Sequence, residues 1–221
     1  QDLENVLNDY KLSSGEVWPL PIILQIDKKI WNTLEVGIIV PLEYAGSPLS
    51  KMMIKITELY EIDLNDVSMR WFGTNDSAHP GVERIISLGS YVVAGEVIYQ
   101  NYKEILNSPY FLTPEQTRMI FDIKGWTRIV AFHTRNVPHR AHEFLMKDAM
   151  RQSNADGLLI QPVVGPKKKG DFTSNVILST YDILIKNYLP RALLTTFATY
   201  SRYSGPREAV FTALCRKNYG C

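Results

Sequence analysis

Arg128-Ile-Val-Ala-Phe-His-Thr-Arg-Asn-Val-Pro-His-Arg-Ala-His142 opens as a short apolar run and closes as the first turn of a helix. Arg128–Phe132 reads as a buried strand, and Ala141–Ser153 as a helix with Ala141, Phe144, Leu145 and Ala149 on one face. The alternation continues outward. Gly157–Val164 is a second strand, and Ser174–Tyr188 a helix carrying Ile177, Tyr181, Leu184, Ile185 and Tyr188 on one stripe. Ala192–Ala198 is a third strand. Gly205-Pro-Arg207 opens a last helix that Gly220 can cap. Upstream, Thr113-Pro-Glu-Gln116 is a helix start with a Thr N-cap, Pro in the first turn and Gln three residues on. This spacing predicts an α/β fold with a parallel, doubly wound sheet, whose ligands belong at the carboxyl ends of the strands.

Before Pro109 the chain has a different character. Pro19–Ile26, Thr33–Val40, Met52–Leu59 and Tyr91–Gln100 are rich in Ile, Val and Tyr and bounded by turn residues, as strands are. Only Ala78–Leu88 reads as a helix there, with Pro80 in its first turn. The expected organisation is therefore a β-rich domain over 1–108, compatible with a small barrel, and an α/β domain over 109–221.

Composition narrows the function. The 221 residues carry 24 Lys and Arg against 23 Asp and Glu, a net charge of +1, so the strongly basic balance of a nucleic-acid binder is missing. No apolar run approaches the roughly 18 residues of a membrane span, and the acidic N-terminal stretch lacks a secretory signal. Cys215 and Cys221 form neither a disulfide framework nor a zinc pattern. These features together suit a cytoplasmic protein.

Three of the four histidines, His133, His139 and His142, fall within ten positions where a strand hands over to a helix N-terminus. Arg135, Asn136 and Arg140 lie among them. Such a terminus favours an anion, most often phosphate, and His139 and His142 share a helical face. A zinc site and a solvated polar loop are the other readings of this cluster, though no further ligand stands at zinc spacing. Val164-Gly-Pro-Lys-Lys-Lys-Gly-Asp171 follows the second strand and Tyr200-Ser-Arg-Tyr-Ser-Gly-Pro-Arg207 the third. Lys167, Lys169, Arg202 and Arg207 are candidate anion-rim residues, with a solubilising turn as the plain alternative. Cations at three consecutive strand ends argue for a nucleotide or polyphosphate site. His79 reads as locally bonded at a helix start, and Asp171 as a cap.

Phe132–Glu143 closely resembles the ATP sulfurylase signature F-Q-T-R-N-x-x-H-R-A-H-E. Gly15-Glu-Val-Trp-Pro-Leu-Pro21 and Phe72-Gly-Thr-Asn-Asp-Ser-Ala-His-Pro-Gly81 look like that family's PUA-like N-terminal β domain. Val164–Asp171, Arg202–Glu208 and Arg216-Lys-Asn-Tyr-Gly-Cys221 are similar to further motifs of its Rossmann-like nucleotidyltransferase domain. The resemblance implies the reaction of ATP with sulfate to give adenylyl sulfate and pyrophosphate, the entry to sulfate assimilation, or its reverse in sulfur oxidation. It implies Thr134, Arg135 and Asn136 as catalytic residues and His133, Thr134, Arg135, Asn136, His139 and His142 as ATP contacts. His133 and Arg135 fall where the family binds sulfate. Magnesium would come with the ATP, and no protein-bound metal is expected. A homo-oligomer and a fused or associated APS kinase domain are compatible with the family.

Two departures from the pattern matter. The family's glutamine is His133 here, where a bound dianion would favour an imidazolium and make anion affinity fall as pH rises. The sequence given also ends before the family's Gly-Arg-Asp-His-Ala-Gly motif and begins after its opening segment. Taken alone, it is expected to bind ATP weakly and transfer little. The alternatives are a relative that activates another oxyanion and a non-catalytic nucleotide-binding relative.

Overall fold

The structure, a computed structural model, describes residues 1–42, 52–99, 108–165 and 170–221. It divides into two compact units. The first comprises Gln1–Asn107 with Arg202–Phe211, and the second Ser108–Ser201 with Thr212–Cys221.

In the first unit, β1 (Leu24–Gln25), β2 (Ile39–Leu42), β3 (Met52–Glu61) and β4 (Tyr91–Tyr99) form an antiparallel sheet in the order β1-β4-β3-β2. β3 is register-shifted between Ile56 and Glu58, a bulge that bends the strand. Three helices here were not expected from sequence: α1 (Asp2–Asp9), α2 (Lys28–Trp31) and α3 (Leu64–Phe72). α1 and α3 are short and amphipathic, and each gains its stability from packing. Leu7 of α1 and Val67 of α3 enter one apolar cluster with Ile62, Ile85 and Val92. Asp63 caps α3, accepting from the Asn65 and Asp66 amides, and Gly73 closes it at φ 75°. α4 (Pro80–Leu88) starts at His79, whose Nδ1 accepts from the Gly81 and Val82 amides, the local role expected of it.

The second unit begins with α5 (Pro114–Ile123), where Thr113 and Gln116 complete the anticipated capping box. There follow β5 (Ile129–Thr134), α6 (Arg140–Gln152), β6 (Gly157–Pro162), α7 (Ser174–Tyr188) and β7 (Ala192–Leu194). The strands are parallel in the order β5-β6-β7. That order advances in one direction, so two right-handed crossovers set α6 and α7 on the same face. Met146 of α6 and Ile177 and Tyr181 of α7 share one core with Leu158 and Ile160 of β6, as that handedness requires. The helices between the described strands thus lie on one face, as in one half of a doubly wound sheet. The stretch Thr212–Cys221, which holds the end of α8 (Pro206–Asn218), lies at the other face, where Arg216 meets His133 and Tyr219 meets Gln161.

All six residues of β6 are buried, and Gln161 is the polar exception among them. Thr173, rather than Asp171, caps α7 by accepting from the Val176 amide. Among the described residues no helix is long and apolar enough to cross a membrane.

Candidate functional site

Period-two alternation along β5 decides which side chains look where. Val130 and Phe132 pack toward α6 and α7, and Thr134 on the same face meets Tyr181. His133 points to the opposite face, beside Arg216 of α8. Thr134 ends the strand. It is buried, its Oγ1 accepts from the Asn136 amide at 3.1 Å, and its carbonyl accepts from the Val163 amide at 2.8 Å. The chain is thereby pinned immediately before the exposed Arg135 and Asn136.

His139 takes the N-cap position of α6 with an extended backbone but makes no side-chain cap bond. The first amides of α6 thus lack the cap that Thr113 and Thr173 give their helices. His142, three residues on, stacks on His139 with ring centroids 3.8 Å apart and meets Phe132 edge-on at 5.3 Å. Its pKa is lowered, by burial first and then by the charge of His139.

His133 remains exposed as a residue, yet its Nδ1 lies 2.5 Å from Nη2 of Arg216, a side chain only 5% exposed. The ring is pushed down to about 4, first by the loss of solvent around its enclosed edge and then by the Arg216 charge. The imidazolium expected at this position is therefore disfavoured. Arg216 also lies over the Phe197 ring at 4.3 Å. Gln161 stands opposite His133 in the strand register. Arg216 and Gln161 were given no role in the sequence reading. The available signals were a glutamine inside the apolar run of β6 and an arginine that opens the Arg216–Cys221 motif at the end of the last helix.

Gly165, just after β6, lies very close to Thr199, just after β7. A Cβ at Gly165 would sit 1.8 Å from the Thr199 carbonyl oxygen, so glycine alone fits. Lys167 and Lys169 lie outside the described residues.

Arg202 and Arg207 belong to the first unit. Arg207 is corrected outright as a rim residue, being 8% exposed and fully engaged. Its Nη1 donates to the Val6 and Pro19 carbonyls at 2.9 and 3.1 Å, and its Nη2 to those of Leu7 and Arg70 at 2.8 and 3.2 Å. Val6 and Leu7 are in the last turn of α1, where carbonyls lack helical partners, so the guanidinium acts as a C-terminal cap. Glu208 accepts from the Arg202 and Ser204 amides and fixes the turn between them. This part of the motif is architecture. Among the described residues no group of three or more His, Cys, Asp and Glu could hold a metal.

A parallel sheet with alternating helices, and histidines gathered at a helix N-terminus, define a nucleotide-binding fold. Residues 108–221 match the ATP-sulfurylase family and residues 1–102 the PUA-like domain; the chain belongs to the ATP-sulfurylase family. It is 38% identical to a sulfate adenylyltransferase of Pyrococcus abyssi, over all of this chain and 57% of that protein. With a sulfate adenylyltransferase of Thermococcus onnurineus the identity is 40%, over 99% of this chain and 56% of the other. The chain spans a little over half the length of these curated relatives. Among solved structures, the hexameric APS kinase from Thiobacillus denitrificans overlays with a TM-score of 0.74, covering 100% of this chain and 40% of that one. At 17% identity that likeness speaks for the fold alone.

Proposed function

We propose that the chain carries the substrate-binding core of a sulfate adenylyltransferase, which joins ATP and sulfate into adenylyl sulfate and pyrophosphate. The observation that carries this reading is the β5–α6 junction. A pinned Thr134, an exposed Arg135 and Asn136, and a stacked histidine pair at an open helix N-terminus follow one another within nine residues. In the proposed reaction a sulfate oxygen attacks the α-phosphorus in line and the bond to pyrophosphate breaks, with no covalent enzyme intermediate. Sulfate is a weak nucleophile, so the protein's contribution is to position two polyanions and offset their repulsion. Arg135 holds sulfate by charge-assisted hydrogen bonds. Asn136 and the α6 amides face the phosphates, which His139 and His142 steady, and magnesium enters as part of the nucleotide substrate.

Pyrophosphate release tests this reading. In a form extended through the Gly-Arg-Asp-His-Ala-Gly motif, release from MgATP that depends on sulfate is the expected result, and nucleotide binding with no turnover on any oxyanion would remove the reading. His133 in the family's glutamine position favours a second reading, a different oxyanion as acceptor. Molybdate and phosphonates in the same assay separate the two. A homo-oligomer is the assembly expected on this reading, which sedimentation velocity reads, and its use of ATP suits the cytoplasm.

A further inference from the structure

The environment of His133 is unusual in its charge. Arg216 is a buried guanidinium, and among the described residues no carboxylate forms an ion pair with it. It meets the Thr212 carbonyl at 3.2 Å, the Phe197 ring and Nδ1 of His133, while its buried Nε has no hydrogen-bond partner among the described residues. The acids around it, Cys215, Tyr219 and Cys221, are weak, and burial pushes the Cys221 thiol up to about 11. Burial raises both Tyr219 and Cys221, so these two are neutral near pH 7. Burial pushes Arg216 itself down to about 10, which leaves it cationic there.

We propose that Arg216 is a positioning residue for the anion-facing end of the site: by donating to Nδ1 of His133 it holds the ring as the neutral tautomer whose single N–H is at Nε2. A guanidinium has donors only, so a ring nitrogen within hydrogen-bond reach of it must accept. A neutral imidazole that accepts at Nδ1 carries its proton at Nε2. Protonating Nδ1 would set two donors and two cations against each other beside a buried charge. The other neighbours do not reverse this. Gln161 on β6 carries no charge, and Phe197 presents a ring with its centroid 6.1 Å away.

The consequence is a directed, uncharged N–H donor of fixed orientation, chemically close to an amide. An anion bound there is held by a hydrogen bond that does not titrate near neutrality. The identity of that anion as sulfate rests on the proposed function. The tautomer does not.

Histidine labelled with ¹⁵N and long-range ¹H–¹⁵N spectra of the 221-residue chain test the assignment directly, with His133→Gln identifying the signal among four histidines. The expected spectrum shows the Nε2–H tautomer from about pH 5 to about pH 8, without the titration near 6.5 of a free histidine. Arg216→Gln should raise the midpoint by about one unit or more and mix the tautomers. Arg216→Lys, which also has donors only, should restore the accepting Nδ1. Sulfate binding by calorimetry should be flat with pH in the parent. In Arg216→Gln it should weaken as pH rises through the restored midpoint, by up to about tenfold per unit if the imidazolium binds alone. A parent His133 that titrates near 6.5, or one protonated at Nδ1, overturns the proposal even if Arg216→Gln fails to fold. An intact Nε2–H tautomer with no sulfate turnover in a form extended through the Gly-Arg-Asp-His-Ala-Gly motif would instead count against the enzymatic reading alone.

Discussion

The imidazoles of His139 and His142 lie stacked, 27° from parallel, one at the N-cap of α6 and the other in its first turn. Two positive rings at this separation would repel, in keeping with the lowered pKa of His142. A polyphosphate between them and the helix amides reverses that preference. His139→Ala and His142→Ala should therefore each weaken ATP about tenfold, the scale of one hydrogen bond to a charged group. Sulfate affinity should change little. Calorimetry with each ligand checks this, and parallel losses of both affinities would mean that the loop had collapsed.

Arg135 follows the pinned Thr134 and stays exposed. In a form extended through the Gly-Arg-Asp-His-Ala-Gly motif, its replacement by Ala should lower sulfate-dependent pyrophosphate release at least about a hundredfold, as for loss of one transition-state donor. ATP binding should survive. Turnover within a few-fold of the parent would withdraw Arg135 from the site.

Much of the second unit was legible because its periodic segments are long and well punctuated. The Thr113 capping box and the Ser174–Tyr188 helix appear as read. The failures share a cause in packing that sequence periodicity does not carry. α3 had an Asp N-cap and a Gly terminus, yet its apolar residues Val67, Trp71 and Phe72 make sense only against Ile62 and Ile85. Arg207 looked like a rim cation because its neighbours in sequence are polar and turn-forming. Its actual partners are carbonyls roughly 140 to 200 residues away in the chain. His133 looked like an anion's counter-charge because nothing local announces Arg216, 83 residues on.

Arg207 leads to a prediction about stability. Arg207→Met keeps the volume but orphans four carbonyls and the contact with the Tyr10 ring, 4.0 Å from the guanidinium. The loss should be about 2–4 kcal/mol, from unsatisfied buried acceptors. Urea unfolding measures it. A stability unchanged by this substitution, together with a fall in ATP affinity, would return Arg207 to the anion rim.

Asp156 ties the start of β5 to that of β6. It accepts from the Thr127 and Arg128 amides at 3.0 and 2.7 Å and from the Thr127 hydroxyl at 3.0 Å. The Thr127 amide bond first, and then that of Arg128, holds its carboxyl down to about 2. The ordinary aspartate value is about 4, so the unfolded chain takes up the proton first as pH falls. The stabilisation is complete above about pH 4 and is lost as pH drops through about 2. Asp156→Ala should lower the melting temperature at neutral pH and remove this part of the acid sensitivity. Parent and variant with equal melting temperatures at pH 7 would show that the three bonds contribute nothing.

Gly165 carries the last prediction. Val164 donates to the Phe197 carbonyl at 3.1 Å and Phe197 to that of Pro162 at 2.9 Å, so the parallel pairing runs past the ends of β6 and β7. A methyl group at Gly165 would lie 1.8 Å from the Thr199 carbonyl oxygen and 2.5 Å from its carbon, both backbone atoms that no rotamer change can move. Gly165→Ala must therefore part the backbone at Gly165 from that at Thr199. That costs stability, on the order of 1–3 kcal/mol for an overpacked site. Gly170→Ala is the control: φ there is +95°, with nothing within 4 Å of an added Cβ, so its cost is backbone strain of about 1–2 kcal/mol without a clash. Hydrogen exchange should show faster opening of the Val164 and Phe197 amides in Gly165→Ala than in Gly170→Ala. ATP affinity should fall in the first variant if the strand-end loops form the phosphate cradle. Unchanged protection of those amides in Gly165→Ala would mean that the close approach to Thr199 is not what holds the Val164–Phe197 pairing.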